Sequence, residues 1–94
     1  MKLKKVFQEK QDVQTKVLRN VEEGKVIALQ IDRNKTLKEH SSKVPAILFC
    51  ISGKAIFKEK EREVKLKKGS YVLIEPNVLH EVKAVKKSNF VLIK

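Results

Sequence analysis

Two histidines, His40 and His80, and one cysteine, Cys50, are the residues of this 94-residue chain best suited to chemistry. An imidazole can ligate a transition metal, transfer a proton near neutral pH, or hydrogen-bond a small molecule. A catalytic metal centre usually needs three protein ligands, so two histidines alone form an incomplete set. Cys50 is flanked by Phe49 and Ile51, and such an isolated cysteine usually behaves as a small, inert hydrophobe. The sequence shows neither a nucleophile paired with a base nor a glycine-rich phosphate loop.

Each histidine belongs to a segment whose alternating residue types predict a β-strand. Residues two apart in a strand share a face, which puts His80 on the same face as the apolar Val82. The same rule groups His40 with Lys38 and Ser42. An imidazole on an inward face needs a partner, because a buried polar group without one is costly. The partner can be a side chain, a water, a metal or a ligand.

Period-two alternation extends along the whole chain, and turn residues divide it into short strands. This spacing predicts an antiparallel sandwich or barrel in a single domain over residues 1–94. The predicted strands are 15–20, 26–31, 36–40, 46–51, 55–60, 63–66, 71–74, 80–84 and 90–93.

The strand 46–51 is apolar at every position, which indicates that both of its faces are covered. Ala46, Leu48 and Cys50 share one face, which we expect to line the interior. The opposite face, which begins with Ile47, then needs a second cover. A further layer of the same chain or a partner subunit can supply it, and we expect a homodimer.

The segment 54–67 predicts a charged hairpin with one apolar stripe. Four charged residues occupy its tip, where we expect them to be solvated: Glu59, Lys60, Glu61 and Arg62. Lysines along such strand edges discourage aggregation between edges.

Charge and composition favour an ordinary soluble protein. The net charge is +11, yet lysines are spread along the chain and only three arginines are present. No basic tail and no basic-aromatic pattern for base stacking occurs, so we expect no specific nucleic-acid binding. No apolar run approaches the ~20 residues of a membrane span, and the N-terminus lacks the apolar region of a secretory signal. With one cysteine and no possible internal disulfide, these features predict a cytoplasmic protein.

The segments around the two histidines resemble the paired motifs of the cupin family, small β-barrels that usually hold a metal. In the first motif, His40 matches the first histidine and Gly53 the closing glycine. Ser42 stands where the family has its second histidine, and Ala46 where it has a glutamate.

The second motif matches at Gly69 and at His80, with the family's separation between them. Glu75 stands at the family's proline, Pro76 follows it, and Asn77 replaces a glycine. Asparagine tolerates the left-handed conformation that such a turn requires. The resemblance implies an antiparallel double-stranded β-helix, the jelly-roll barrel of cupins.

The resemblance also implies where a site would lie. We predict a ligand pocket lined by His40, Ser42, Ala46, Leu48, Cys50 and His80. With two family ligands replaced, we predict no firmly held metal. A weakly bound Zn, Fe, Ni or Mn ion on His40 and His80 is the alternative.

The residues and the resemblance together leave two leading functions open, beside the less favoured class of a basic nucleic-acid-associated protein with salt-sensitive binding. The first is a small-molecule-binding, sensor or accessory module. The second is a metal-dependent cupin enzyme of the dioxygenase, isomerase or decarboxylase type, with His40 and His80 as ligands. Fold analogy alone does not choose among these activities.

Overall fold

The computed structural model describes residues 2–7, 10–21 and 24–94, apart from the side chains of Lys4, Asn20, Val21 and His40. A short 3-10 turn, Leu3–Lys5, precedes the strands. The strands are β1 Val13–Val21, β2 Gly24–Ile31, β3 Thr36–His40, β4 Ala46–Ser52, β5 Lys54–Glu59, β6 Arg62–Lys67, β7 Tyr71–Ile74, β8 His80–Ala84 and β9 Ser88–Ile93. The predicted bounds of β3, β7 and β8 are confirmed to the residue. Within the described ranges, no helix is long and apolar enough to span a membrane.

The strands form two antiparallel sheets that face each other. The first sheet has the order β1-β2-β9-β4-β7, and the second has the order β3-β8-β5-β6. Apart from the hairpins β1-β2 and β5-β6, neighbours in a sheet are not consecutive in sequence, and the chain passes repeatedly from one sheet to the other. This arrangement confirms the predicted all-β jelly-roll class.

The core lies between the sheets and is built from alternate residues of each strand. In β4, Ala46, Leu48 and Cys50 are buried, which confirms that this face points inward. Phe57 of β5 and Phe90 of β9 are fully buried in the same cluster. The period-two rule therefore identified the inner face of the central strand.

The outer face of β4 is only partly covered within the chain. Ile47 and Phe49 are half-buried, and Ile51 is exposed. The ring of Tyr71 from β7 lies 5.7 Å from that of Phe49, centroid to centroid, and is itself exposed. A complete cover for this face is not supplied by the described residues, so the predicted partner subunit stays a prediction.

Three loops meet at one end of the barrel, which we call the motif end. They are the loop 41–45 between β3 and β4, the turn 60–61 between β5 and β6, and the loop 75–79 between β7 and β8. The backbone N–H of Asn77 donates to the carbonyl oxygen of Ser42 at 2.7 Å and so joins two of them. Asn77 has φ of 64°, which confirms the predicted left-handed turn.

Candidate functional site

The imidazole of His80 lies inside the motif end. His80 is the first residue of β8, and only 5% of it is exposed. Its ring stacks against the ring of Phe57, with centroids 5.6 Å apart and planes inclined by 27°. Its Nδ1 lies 3.0 Å from the carbonyl oxygen of Val78. Because a carbonyl can only accept, Nδ1 carries the proton, and in the neutral ring Nε2 is then an acceptor.

The backbone of His40 lies opposite His80, although simple alternation along β3 does not predict this position. Leu37 pairs with Val82 and packs against the core, whereas Lys38 is exposed. A bulge between Leu37 and His40 adds one residue, after which His40 pairs with His80. The predicted uninterrupted alternation through Lys38 and His40 is therefore wrong. The side chain of His40 lies outside the described part of the structure.

A row of four polar residues crosses the second sheet at this end. In register, His40 pairs with His80, His80 with Glu59, and Glu59 with Arg62. The row uses one residue from each of β3, β8, β5 and β6. Directly opposed residues of antiparallel strands share a face, so Glu59 lies on the inner face together with His80.

Glu59 and Arg62 were expected at a solvated hairpin tip, and for Glu59 this prediction is wrong. The side chain of Glu59 is only 15% exposed, and its Oε1 accepts a hydrogen bond from Arg62 Nε at 2.7 Å. Phe57 and Glu59 are two apart in β5, so both side chains point inward. The turn is limited to Lys60 and Glu61, which are exposed. In the sequence, the position of Glu59 two residues after the apolar Phe57 was the signal that its side chain points inward.

Arg62 lies at the border between this inner row and solvent. Its guanidinium carbon lies 5.6 Å from the centroid of the Phe57 ring, and about half of its side chain is exposed. Its Nη2 donates to the carbonyl oxygen of Leu73 on the edge strand β7 at 3.2 Å. One side chain thus links the edges of the two sheets beside His80.

The two residues at replaced family positions have other structural partners. Ser42 is half-buried, and its Oγ accepts a hydrogen bond from the backbone N–H of Val44 at 3.4 Å. Ala46 is buried opposite Ile74. It also contributes to an outer cleft of about 360 Å³ beside Pro45.

Leu48 and Cys50 lie deeper in the barrel and are almost completely inaccessible. Burial raises the pKa of the Cys50 thiol, and this effect is larger than the lowering of the pKa by a hydrogen bond to the Ser52 carbonyl. The distance from Sγ to that oxygen is 3.5 Å. The thiol is therefore neutral at physiological pH. The role of Leu48 and Cys50 in lining a pocket stays a prediction.

The described side chains do not fit a metal centre of the usual composition. Among them, no group of three histidine, cysteine, aspartate or glutamate residues is placed to hold an ion. Ser42 and Ala46 occupy the positions where the family has its second histidine and its glutamate, and alanine has no donor atom. We therefore derive no reaction step through a metal.

The model of the cupin domain family matches residues 29–93 of the sequence. The chain belongs to the cupin family. The match includes the end of β2, all of β3 to β9, both histidine segments and Glu59. Cupin folds often bind metals, and the replaced positions set this member apart from those with a full ligand set. No curated protein matches the sequence significantly.

Solved structures of other proteins share the fold over most of the chain. A cupin superfamily protein from Desulfitobacterium hafniense has a TM-score of 0.88 and 9% identity, covering 98% of this chain and 84% of its own. A conserved protein of unknown function from Streptococcus pyogenes has a TM-score of 0.85 and 18% identity, covering 99% and 82%. A cupin-like protein from Thermotoga maritima has a TM-score of 0.79 and 27% identity, covering 87% and 67%. These similarities establish the fold and leave the ligand open.

Proposed function

We propose that this cupin is a small-molecule-binding, sensor or accessory module whose pocket opens at the motif end. The observation that carries the proposal is the buried imidazole of His80, oriented by the Val78 carbonyl and stacked on Phe57. A polar ring held rigidly on the inner face of a barrel is suited to fixing the orientation of a ligand. The proposed lining is His40, Ser42, Ala46, Leu48, Cys50 and His80.

We further propose that the pocket works without a firmly held metal. A native metal centre needs a fuller ligand set with supporting hydrogen bonds than two histidines provide. The alternative is a metal-dependent cupin enzyme in which His40 and His80 ligate Zn, Fe, Ni or Mn and water completes the coordination. The pairing of His40 with His80 across β3 and β8 favours keeping this second candidate.

Metal analysis separates the two candidates. Protein purified without an affinity tag or chelator is analysed for metals, and Zn, Fe, Ni and Mn are titrated into wild type and His40→Ala/His80→Ala. We expect substoichiometric metal in the wild type and weak uptake that the double substitution leaves nearly unchanged. Near-stoichiometric metal that disappears in the double variant would make the enzyme the leading candidate.

We also propose that the chain is a homodimer through the outer apolar face of the first sheet. This face consists of two cross-strand rows: Tyr71, Phe49 and Val91, and Leu73, Ile47 and Ile93. Tyr71 is 59% exposed and Leu73 51%. None of the six side chains is charged, although the chain carries a net charge of +11. An uncharged apolar patch on a chain of such high charge is best matched by a second copy of itself in a two-fold dimer.

A further inference from the structure

A buried carboxylate oxygen at the motif end has no hydrogen-bond partner among the described residues. It is Oε2 of Glu59, which is inaccessible to solvent, whereas Oε1 of the same group is bound by Arg62. A buried acceptor normally accepts a hydrogen bond, because an unpaired one has lost its hydrogen bonds to water and gained none in the protein. The position of Oε2 therefore calls for a donor.

This oxygen belongs to the same inner surface as His80. Glu59 and His80 are directly paired between β5 and β8, and Phe57, two residues before Glu59, stacks on the His80 ring. Two neighbouring strands thus present an imidazole, an aromatic ring and a carboxylate side by side. Arg62 borders this group, and about half of its side chain is exposed.

Charge restricts what such a donor can be. A cationic group would meet the Arg62 guanidinium, whose Nε is 2.7 Å from Oε1, and the field of a chain with net charge +11. A fully ionised anionic group has no proton to donate to Oε2. A neutral hydroxyl donates a hydrogen bond without either drawback, and its bond to a charged acceptor is among the stronger ones.

We infer that Glu59 is a ligand-recognising residue, whose Oε2 accepts a hydrogen bond from a hydroxyl group of a neutral, polyol-like ligand. The inference rests on the proposed function, because it assigns a ligand class to the same pocket. It adds to the pocket a residue that neither histidine motif contains.

The test is a ¹H–¹⁵N NMR titration with two neutral probes that are built on the same cyclohexane ring. The probes are cis-1,2-cyclohexanediol, which has hydroxyl donors, and its dimethyl ether, which has none. Both are titrated into wild type, Glu59→Gln and the control Glu61→Gln. Glu61→Gln removes the same charge at the exposed turn. In Glu59→Gln the amide oxygen still accepts from Arg62, so an NH₂ donor replaces the acceptor at Oε2.

We expect the diol to give saturable shifts at the amides of β5 and β8 in wild type and Glu61→Gln. Its dissociation constant should rise about tenfold or more in Glu59→Gln, as for loss of a hydrogen bond to a charged group. The dimethyl ether should bind wild type at least about tenfold more weakly than the diol. The dispersed spectrum of each variant verifies that it is folded.

Failure of this inference is distinguishable from failure of the proposed function. If both probes bind equally, or if Glu59→Gln binds the diol like wild type, Glu59 does not recognise hydroxyl groups. Shifts near His80 that are lost in His80→Ala would then still support a pocket. If neither probe shifts any amide of the motif end, both the inference and the small-molecule pocket are overturned.

Discussion

At the scale of single residues, the two most reactive side chains whose positions are described have opposite surroundings. His80 has a polar partner for Nδ1 and an aromatic neighbour, and it lies where three loops meet. Cys50 lies deep in the barrel with 1% of its surface exposed. The two inward-pointing residues therefore differ in that His80 lies near loops and Cys50 lies in the apolar core.

The buried thiol predicts a specific pH dependence of stability. Burial raises the pKa of Cys50 in the folded chain above its ordinary value of 9.0. The unfolded chain thus loses this proton first as the pH rises, and the thiol's contribution to folding stability declines above about pH 9. The decline amounts to about 1.4 kcal/mol per pH unit between the unfolded and folded pKa values.

Urea unfolding between pH 7 and 10.5 measures this effect by comparing wild type with Cys50→Ala. We expect Cys50→Ala to have a lower free energy of unfolding than wild type at pH 7, because the core loses a packed atom. Above about pH 9 this difference in unfolding free energy should become smaller. Lysine titration is common to both proteins and cancels in the difference. If the difference in unfolding free energy stays constant from pH 7 to 10.5, the thiol ionises equally easily in the folded and unfolded chains.

At the scale of elements, local irregularities place the row of four polar residues at the motif end. The bulge in β3 brings the backbone of His40 opposite His80. The tight turn 60–61 lets β5 continue to Glu59, whose side chain therefore joins the inner face. A regular strand or a longer hairpin loop would shift one of these residues out of the row, because a one-residue change of register exchanges the two faces.

The turns at Gly53 and Gly69 give a second prediction at the scale of elements. Gly53 and Gly69 both have positive φ, 95° and 89°. A Cβ at Gly53 would collide with Ser88 and with the carbonyl of Lys87, whereas at Gly69 it would meet open space. Gly69→Ala should therefore cost only the strain of the left-handed backbone, about 1–2 kcal/mol. Gly53→Ala should cost several kcal/mol, because the backbone of β9 must also move.

Chemical unfolding of the two alanine variants at pH 7 compares these costs directly. Gly69→Ala serves as the control for backbone strain, because the φ angles of Gly69 and Gly53 are both positive and of similar size. Equal losses in unfolding free energy would show that the close approach of Gly53 to β9 contributes nothing to stability.

At the scale of the whole molecule, a chain of net charge +11 carries an uncharged outer face on its first sheet. The six side chains of the outer apolar face continue across β7, β4 and β9, with their apolar surfaces adjacent. A chain of this size buries a modest share of its surface, so covering this face with a second copy adds stability. Each copy carries a charge of +11, so repulsion opposes association and salt weakens that repulsion.

Sedimentation at micromolar concentration tests the dimer. We expect a species of twice 10.8 kDa, with a dissociation constant that falls as salt rises from about 50 to 300 mM. Leu73→Lys should shift the protein towards monomer, because it places a charge within the uncharged face. Val85→Lys, at an exposed apolar position away from this face, is the control. A monomer under all of these conditions would rule out the proposed interface.

The sequence by itself determined the strands, the inward face of β4, the left-handed turn at Asn77 and the cupin fold. The strands and turns could be determined because period-two alternation and turn residues act over only a few positions. The cupin fold was indicated by the resemblance of the segments around His40 and His80 to the family's two motifs. Only the tertiary structure decided that Glu59 joins His80 in an inner row and that Arg62 links the edges of the two sheets. These contacts depend on register between strands distant in sequence, and the pairing of His40 with His80 depends on a one-residue bulge. Alternation within a single strand encodes neither.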